Sequence, residues 1–182
     1  MKALDRFIQS WRIRRIRPFL NSGARVLDVG TSDGALFRQI PKLGPSIGID
    51  PDLEPHATGP NTQFIKWLFP ADLPETEPFD AITMLAVLEH IPPDIQPILA
   101  RDCFAHLQPG GLLLITVPAP AVDYILAGLR FFRLIDGMSL EQHYGFEPSM
   151  TQELFESAGF RLKRHATFQL GLNHLFVFEK PV

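Results

Sequence analysis

The chain has 182 residues, a formal net charge of −3, 46% hydrophobic and 20% charged residues, which fits one globular domain able to bury a sizeable core. A single cysteine, Cys103, excludes an internal disulfide framework and a cysteine-held metal cluster, and it sits in a helical pattern as a small apolar residue. The six histidines lack ligand spacing, so no metal is expected, and the slightly acidic balance argues against a nucleic-acid partner.

No signal peptide and no apolar run of transmembrane length is found, so a cytoplasmic location is expected. Charge is uneven along the chain. Residues 1–17 carry Lys2, Arg6, Arg12, Arg14, Arg15 and Arg17 against Asp5 alone. Residues 1–20 form an expected amphipathic helix unit with Leu4, Phe7, Ile8, Trp11 and Ile16 as its apolar set and the arginines largely elsewhere. Pro18 ends it or begins a turn. Two readings of this helix stay open. It packs on the domain and shields a ligand edge, or it makes peripheral contact with an anionic membrane or substrate.

Residues 21–182 form the main domain. Strands are predicted at 24–29, 45–50, 62–66, 79–85 and 111–117, and helices at 34–41 and 94–107. This alternation predicts a parallel sheet with helices on both faces. Residues 51–61, with Pro51, Pro55, Gly59 and Pro60, read as loop where a crossover helix would be expected. Leu107-Gln108-Pro109-Gly110-Gly111 stops a helix and turns into the doubly buried strand Leu112–Val117. Residues 118–146 are irregular and densely apolar, either a helix packed on the core or a lid over an apolar acceptor. Ser149-Met150-Thr151-Gln152-Glu153 predicts a capped helix start, and Gly159 its stop. Phe160–Leu170 and Leu172–Lys180 predict two antiparallel strands joined at Gly171.

The chain is organised around Val26-Leu27-Asp28-Val29-Gly30-Thr31-Ser32-Asp33-Gly34, a buried strand running into a glycine turn, followed by Leu36, Phe37 and Ile40 at helical spacing. Gly30 and Gly34 lack Cβ and tolerate positive φ, and a helix start beyond them offers an anion site. About 20 residues on, Ser46-Ile47-Gly48-Ile49-Asp50 ends a second strand in a carboxylate suited to ribose hydroxyls. A dinucleotide fingerprint needs G-x-G-x-x-G, and Ser32 stands at its second glycine with the third misplaced, which disfavours a nicotinamide dehydrogenase.

The turn instead resembles the first motif of class I S-adenosylmethionine-dependent methyltransferases, with Ser32 in place of the middle glycine. Further stretches resemble the same family in order: Gly48-Ile49-Asp50, Ala71-Asp72-Leu73-Pro74 before Phe79-Asp80-Ala81-Ile82, Leu88-Glu89-His90-Ile91, Leu107–Gly111, and Ser157-Ala158-Gly159-Phe160. The resemblance covers about residues 24–180. It implies a three-layer Rossmann-like α/β fold with a seven-stranded sheet in the order 3-2-1-4-5-7-6, strand seven antiparallel. It also implies S-adenosyl-L-methionine as cofactor, held by Asp28, Gly30, Ser32, Gly34, Asp50, Asp72 and Leu85.

Where family members carry an acid after strand three, this chain has Phe64-Ile65-Lys66-Trp67-Leu68-Phe69. Asp72, backbone amides, or stacking on Trp67 or Phe69 are then the expected adenine contacts. The implied reaction is methyl transfer to an oxygen or nitrogen of a small or amphiphilic metabolite. An oxygen acceptor needs a base, for which His90 and His143 are the candidates. The alternative is a non-catalytic methyltransferase-like binding module.

Overall fold

The computed structural model describes residues 3–71, 73–119 and 147–182. Two stretches named above therefore lie outside the described residues: Asp72, and all but the first two residues of the lid-like segment 118–146, His143 among them.

Helix α1 (Ala3–Ile16) continues into a 3-10 turn at Arg17–Phe19 and leads to β1 (Val26–Val29). Then follow α2 (Ala35–Gln39), β2 (Ser46–Ile49), β3 (Thr62–Ile65), β4 (Phe79–Leu85), a 3-10 turn at Leu88–His90, α3 (Gln96–His106) and β5 (Leu107–Pro118). After the undescribed segment come α4 (Met150–Ser157), β6 (Arg161–Phe168) and β7 (Asn173–Glu179). The strands form one seven-stranded sheet in the order β3-β2-β1-β4-β5-β7-β6. Pairing is parallel from β3 to β5, and β7 runs antiparallel to both β5 and β6, as the resemblance implied.

The sheet is buried on both faces because its central strands are apolar at consecutive positions. On one face Leu27, Ile82, Met84, Leu113 and Ile115 meet Leu99 and Cys103 of α3 and Phe155 of α4. On the other, Val26, Ala81, Leu114 and Val177 meet Ile13 and Ile16 of α1 and Leu36 and Phe37 of α2. Cys103 is a buried free thiol whose pKa is pushed far above its ordinary value by desolvation, so it packs and does not react.

Several local expectations are corrected. α2 spans five residues where eight were expected, because Pro41 and the αL Gly34 bound it closely. β5 starts at Leu107, since Leu107 pairs with Phe79 across a bulge and Gly110 N donates to Lys180 O at 2.8 Å. Ser149 does not cap α4. Its backbone is already helical and its hydroxyl turns to Glu147 Oε2 at 3.4 Å. Residues 51–61 hold no helix, so β2 and β3 are joined by loop, as the prolines predicted.

The expected single apolar stripe of α1 is two stripes. Ile13 and Ile16 are buried against the sheet, whereas Phe7, two turns earlier on the opposite side, is exposed. Arg12, counted with the solvated arginines, turns inward, and its Nε donates to Asn173 Oδ1 at 3.3 Å. Burial lowers the Arg12 guanidinium pKa below its ordinary value, partly offset by the negative charge of Glu89. The inner face of α1 packs on the domain, with Gln9 Nε2 reaching Asp33 Oδ1 at 3.1 Å.

Candidate active site

Parallel strands of an α/β sheet end together, and the crevice beyond their C-terminal ends collects the loops that can touch a ligand. Here β1, β2 and β4 deliver Gly30, Asp50 and Ala86 to that edge. The turn after β1 passes through the left-handed region at three positions, with φ of 78° at Gly30, 50° at Ser32 and 74° at Gly34. Ser32 thus adopts the left-handed conformation that a glycine supplies without strain.

What holds the turn is a ladder of backbone donors. Gly30 N donates to Ile49 O at 2.9 Å and Gly34 N to Thr31 O at 2.9 Å. Ser32 N donates to Asp50 Oδ2 at 2.8 Å, while Asp52 N donates to Asp50 Oδ1 at 2.7 Å. Asp50 is therefore fixed in orientation by the turn on one side and its own loop on the other. Each carboxylate oxygen keeps acceptor capacity for a ligand hydroxyl.

Both glycines are needed for closeness as well as for φ. A Cβ on Gly30 would collide with Val87 Cγ2, the side chain that leads out of β4 over the turn. A Cβ on Gly34 would stand 2.8 Å from both Thr58 O and Phe64 Cζ. Gly48 is equally confined, with Thr31 Oγ1 at 2.8 Å from its would-be Cβ.

Asp28 is 4% exposed and accepts a hydrogen bond from Thr83 Oγ1 at 2.5 Å. Desolvation raises its pKa to about 7, opposed by hydrogen bonding to the hydroxyl of Thr83 and reinforced by the charges of Asp50 and Asp33. The anion expected at the start of α2 is supplied by the chain itself. Asp33 Oδ1 accepts Ala35 N at 3.2 Å, and the same carboxylate pairs with Arg38. Three carboxylates thus surround the turn, and Arg38 on the outer one is exposed.

That arrangement decides between ligand classes. A pyrophosphate would meet like charge from Asp28, Asp33 and Asp50, whereas a ligand with an ammonium group and a ribose meets partners at Asp28 and Asp50. S-adenosylmethionine suits these acceptors better than a nicotinamide dinucleotide does.

The remaining sequence candidates divide. Leu85 closes β4, half-buried, beside Ala86, whose φ is 60° and whose N donates to Thr116 O at 2.8 Å. His90 ends the 3-10 turn and is exposed, while its neighbour Glu89 is buried. Phe69 does not reach toward the turn, for its ring packs edge-on against His106 at the end of α3, 5.5 Å between centroids. Trp67 is exposed on the same loop. Among the described residues no group of three or more His, Cys, Asp or Glu could hold a metal ion. An open groove lined by Phe19, Asn21, Asp80 and Gln108 lies at the opposite edge, where β1, β4 and β5 begin, and takes no part in this site.

Sequence reasoning missed Thr83, Val87 and Arg12. Thr83 sits in the apolar run Ala81–Leu85, and its polarity was the signal available. Val87 and Arg12 carried none, because their roles depend on which way a turn and a helix face.

The model of a methyltransferase domain matches residues 2–165. Rat mitochondrial ubiquinone biosynthesis O-methyltransferase is 30% identical over 150 residues, covering 75% of this chain and 43% of that protein. The ubiquinone biosynthesis O-methyltransferase of Xanthomonas campestris pv. campestris is 35% identical over 104 residues, 52% of this chain and 43% of that protein. The chain thus spans less than half the length of these curated relatives. Among solved structures, the Burkholderia thailandensis 1,6-didemethyltoxoflavin-N1-methyltransferase, holding 1,6-didemethyltoxoflavin and S-adenosylhomocysteine, aligns with a TM-score of 0.73. It is 18% identical and covers 96% of this chain and 79% of its own. A TehB-like methyltransferase from Corynebacterium glutamicum aligns at 0.68 with 18% identity and 97% coverage of both chains. The glycine turn, the seven-stranded order and the matched model together make this chain a member of the methyltransferase-domain family, of the class I, S-adenosylmethionine-dependent, Rossmann-like kind.

Proposed function

We propose that the chain transfers a methyl group from S-adenosylmethionine to an oxygen of a small amphiphilic acceptor, nitrogen being the second choice. The observation that carries the cofactor is the anionic glycine turn, with Asp28 buried behind it and Asp50 oriented by Ser32 N. The choice of oxygen leans on relatives named as ubiquinone biosynthesis O-methyltransferases. The cofactor, when bound, supplies an activated methyl on a sulfonium.

The chain's part is then positional. Asp50 takes the ribose, Asp28 an ammonium group, and Gly30, Ser32 and Gly34 let the backbone come close. Holding two reactants in line accounts for roughly 7–11 kcal/mol of barrier in well-oriented systems, so little further chemistry is asked of side chains.

The experiment is thermal unfolding with S-adenosylmethionine, S-adenosylhomocysteine and NAD in parallel. At ligand one hundred times Kd, binding adds about 2.7 kcal/mol, a rise of roughly 5–11 °C for a domain this size. A rise with both adenosyl ligands and none with NAD is expected. No rise with any of them, from cooperatively folded ligand-free protein, would turn the reading to a non-catalytic binding module.

A hydroxyl acceptor has to lose its proton, and we assign that step to His90, at the edge where β4 ends, with His143 as the alternative. His90→Gln is expected to lower kcat by about 10²-fold on a phenolic acceptor and to change the shape of the pH–rate profile. An unchanged profile would take His90 out of the reaction and leave His143 to the same test.

A further inference from the structure

Helix α1 has more apolar surface than its docking uses. Its inner face is occupied by Ile13 and Ile16 in the core, Gln9 on Asp33 and Arg12 on Asn173. Phe7 and Arg14 lie at helical spacing on the other side, and Trp11 beside them is half-buried, packed in part on the core. Phe7 is 53% exposed and meets Trp11 edge-on, 5.5 Å between ring centroids. Arg6, Arg14, Arg15 and Arg17 are exposed around this aromatic pair.

The β6–β7 tip lies against the same helix. Gln169 Nε2 donates to Ile8 O at 3.4 Å, and the Arg15 guanidinium lies 5.6 Å from the Phe168 ring centroid. At that tip Leu170 is 99% exposed and holds a φ of 59°, next to Gln169 at 52°. Gly171 N closes the turn on Phe168 O at 3.2 Å. Such a turn favours Asn or Gly at its two central positions, and a leucine there gains no packing from the fold.

We propose that the outer face of α1 and the β6–β7 tip together dock on an anionic lipid surface, Phe7 and Leu170 entering the headgroup boundary and Arg6, Arg14, Arg15 and Arg17 meeting the lipid charge. Aromatic side chains flanked by arginine suit that boundary, where one part is apolar and the other wet. Charge complementarity selects the partner and the orientation. Arg6, Arg14, Arg15 and Arg17 are exposed in residues 1–17 and Asp5 is the one anionic residue there, in a chain whose net charge is −3, so the rest of the molecule is repelled by the same surface. The surface also lies beside the strand ends that carry the glycine turn, so an amphiphilic acceptor could be handed over without crossing water. The docking itself does not depend on the methyl-transfer reading and is tested on cofactor-free protein.

The test is flotation of the full chain with phosphatidylcholine vesicles, with and without phosphatidylglycerol, at rising salt. Binding is expected only with phosphatidylglycerol and should fade as salt screens it. Arg14→Glu should lower partitioning roughly 25-fold, about fivefold for each unit of charge changed. Leu170→Asn separates docking from folding. Asn suits the positive φ, so its thermal midpoint should stay level or rise while vesicle binding falls several-fold. Equal flotation of both variants, or none for the parent chain, overturns the proposal. Concentration-dependent self-association abolished by Leu170→Asn, without vesicle binding, would overturn it in favour of a second copy of the chain.

Discussion

Asp28→Asn is expected to make the ligand-free protein more stable at pH 8 and worse at binding its cofactor. The carboxyl titrates at about 7 in the folded chain against 3.8 when free, because burial disfavours its charge. Between those values the folded state holds a proton the unfolded state has lost, so stability falls as pH rises from about 4 to 7 and is level beyond. Taken at face value the penalty above pH 7 is on the order of 4 kcal/mol. An amide of the same shape removes the charge, and its oxygen still accepts from Thr83. The midpoint of unfolding should therefore rise by roughly 5–15 °C at pH 8, with little change at pH 4. S-adenosylmethionine, whose ammonium would lose its ionic partner, should bind roughly 10- to 100-fold more weakly, the loss of a charge-assisted hydrogen bond. Calorimetric unfolding at both pH values, with binding titrations at pH 8, reads all of this. A variant less stable than the parent at pH 8 would mean that the ionised form is favoured by the fold, and would undo the account of the anionic turn.

That trade is informative about the site as a whole. Asp28 carries a cost in the absence of ligand chiefly because burial strips water from its charge, and the nearby charges of Asp50 and Asp33 add to it. A cationic ligand relieves the repulsion as it binds. On the proposed cofactor reading, the destabilised carboxylate would be a functional feature, the fold being worse without ligand than it needs to be.

Much of this was legible in the chain itself. The strand-to-turn run Val26–Gly34 and the carboxylate ending Ser46–Asp50 are local patterns, and local patterns survive folding when the turn chemistry agrees with them. Gly30 and Gly34 took positive φ where the spacing asked for it. The order of the seven strands came from the resemblance, since periodicity alone cannot rank parallel strands separated by crossovers.

What stayed hidden shares one cause: it depends on direction, which a helical or extended pattern leaves open. Arg12 and Arg14 look alike in sequence, yet two positions around the helix turn one toward Asn173 and leave the other outside. Glu89 and His90 are adjacent, and the 3-10 turn buries the acid and exposes the imidazole that the chemistry had singled out. Thr83 reaches Asp28 across 55 residues through the parallel pairing of β1 and β4, a register no sequence window contains. The short α2 follows from Pro41, which outweighs the helical run Leu36–Ile40.

Gly34→Ala should be strongly damaging to stability and to cofactor binding together, and Gly110→Ala is its control. Both glycines hold nearly the same φ, 74° and 78°, so both substitutions incur the left-handed penalty of roughly 1–2 kcal/mol. They differ in what the methyl meets. At Gly110 the nearest atom is Val182 Cγ2 at 3.9 Å, in ordinary contact. At Gly34 the methyl stands 2.8 Å from Thr58 O and 2.8 Å from Phe64 Cζ. The first is backbone, and the second belongs to a ring packed at 5.8 Å against Phe37, so neither yields by rotating a free side chain. Overpacking of that kind adds about 1–3 kcal/mol, for a total of roughly 2–5 kcal/mol at Gly34 against 1–2 at Gly110. Denaturant unfolding of the two variants isolates the crowding from the φ term by subtraction. Because Gly34 also starts α2 and Gly110 lies at the other end of the sheet, only the first should weaken cofactor binding as well, at least tenfold. Equal losses of stability in the two variants would show that the loop at Thr58 gives way, and that the turn tolerates a Cβ where the close approach was thought to forbid one.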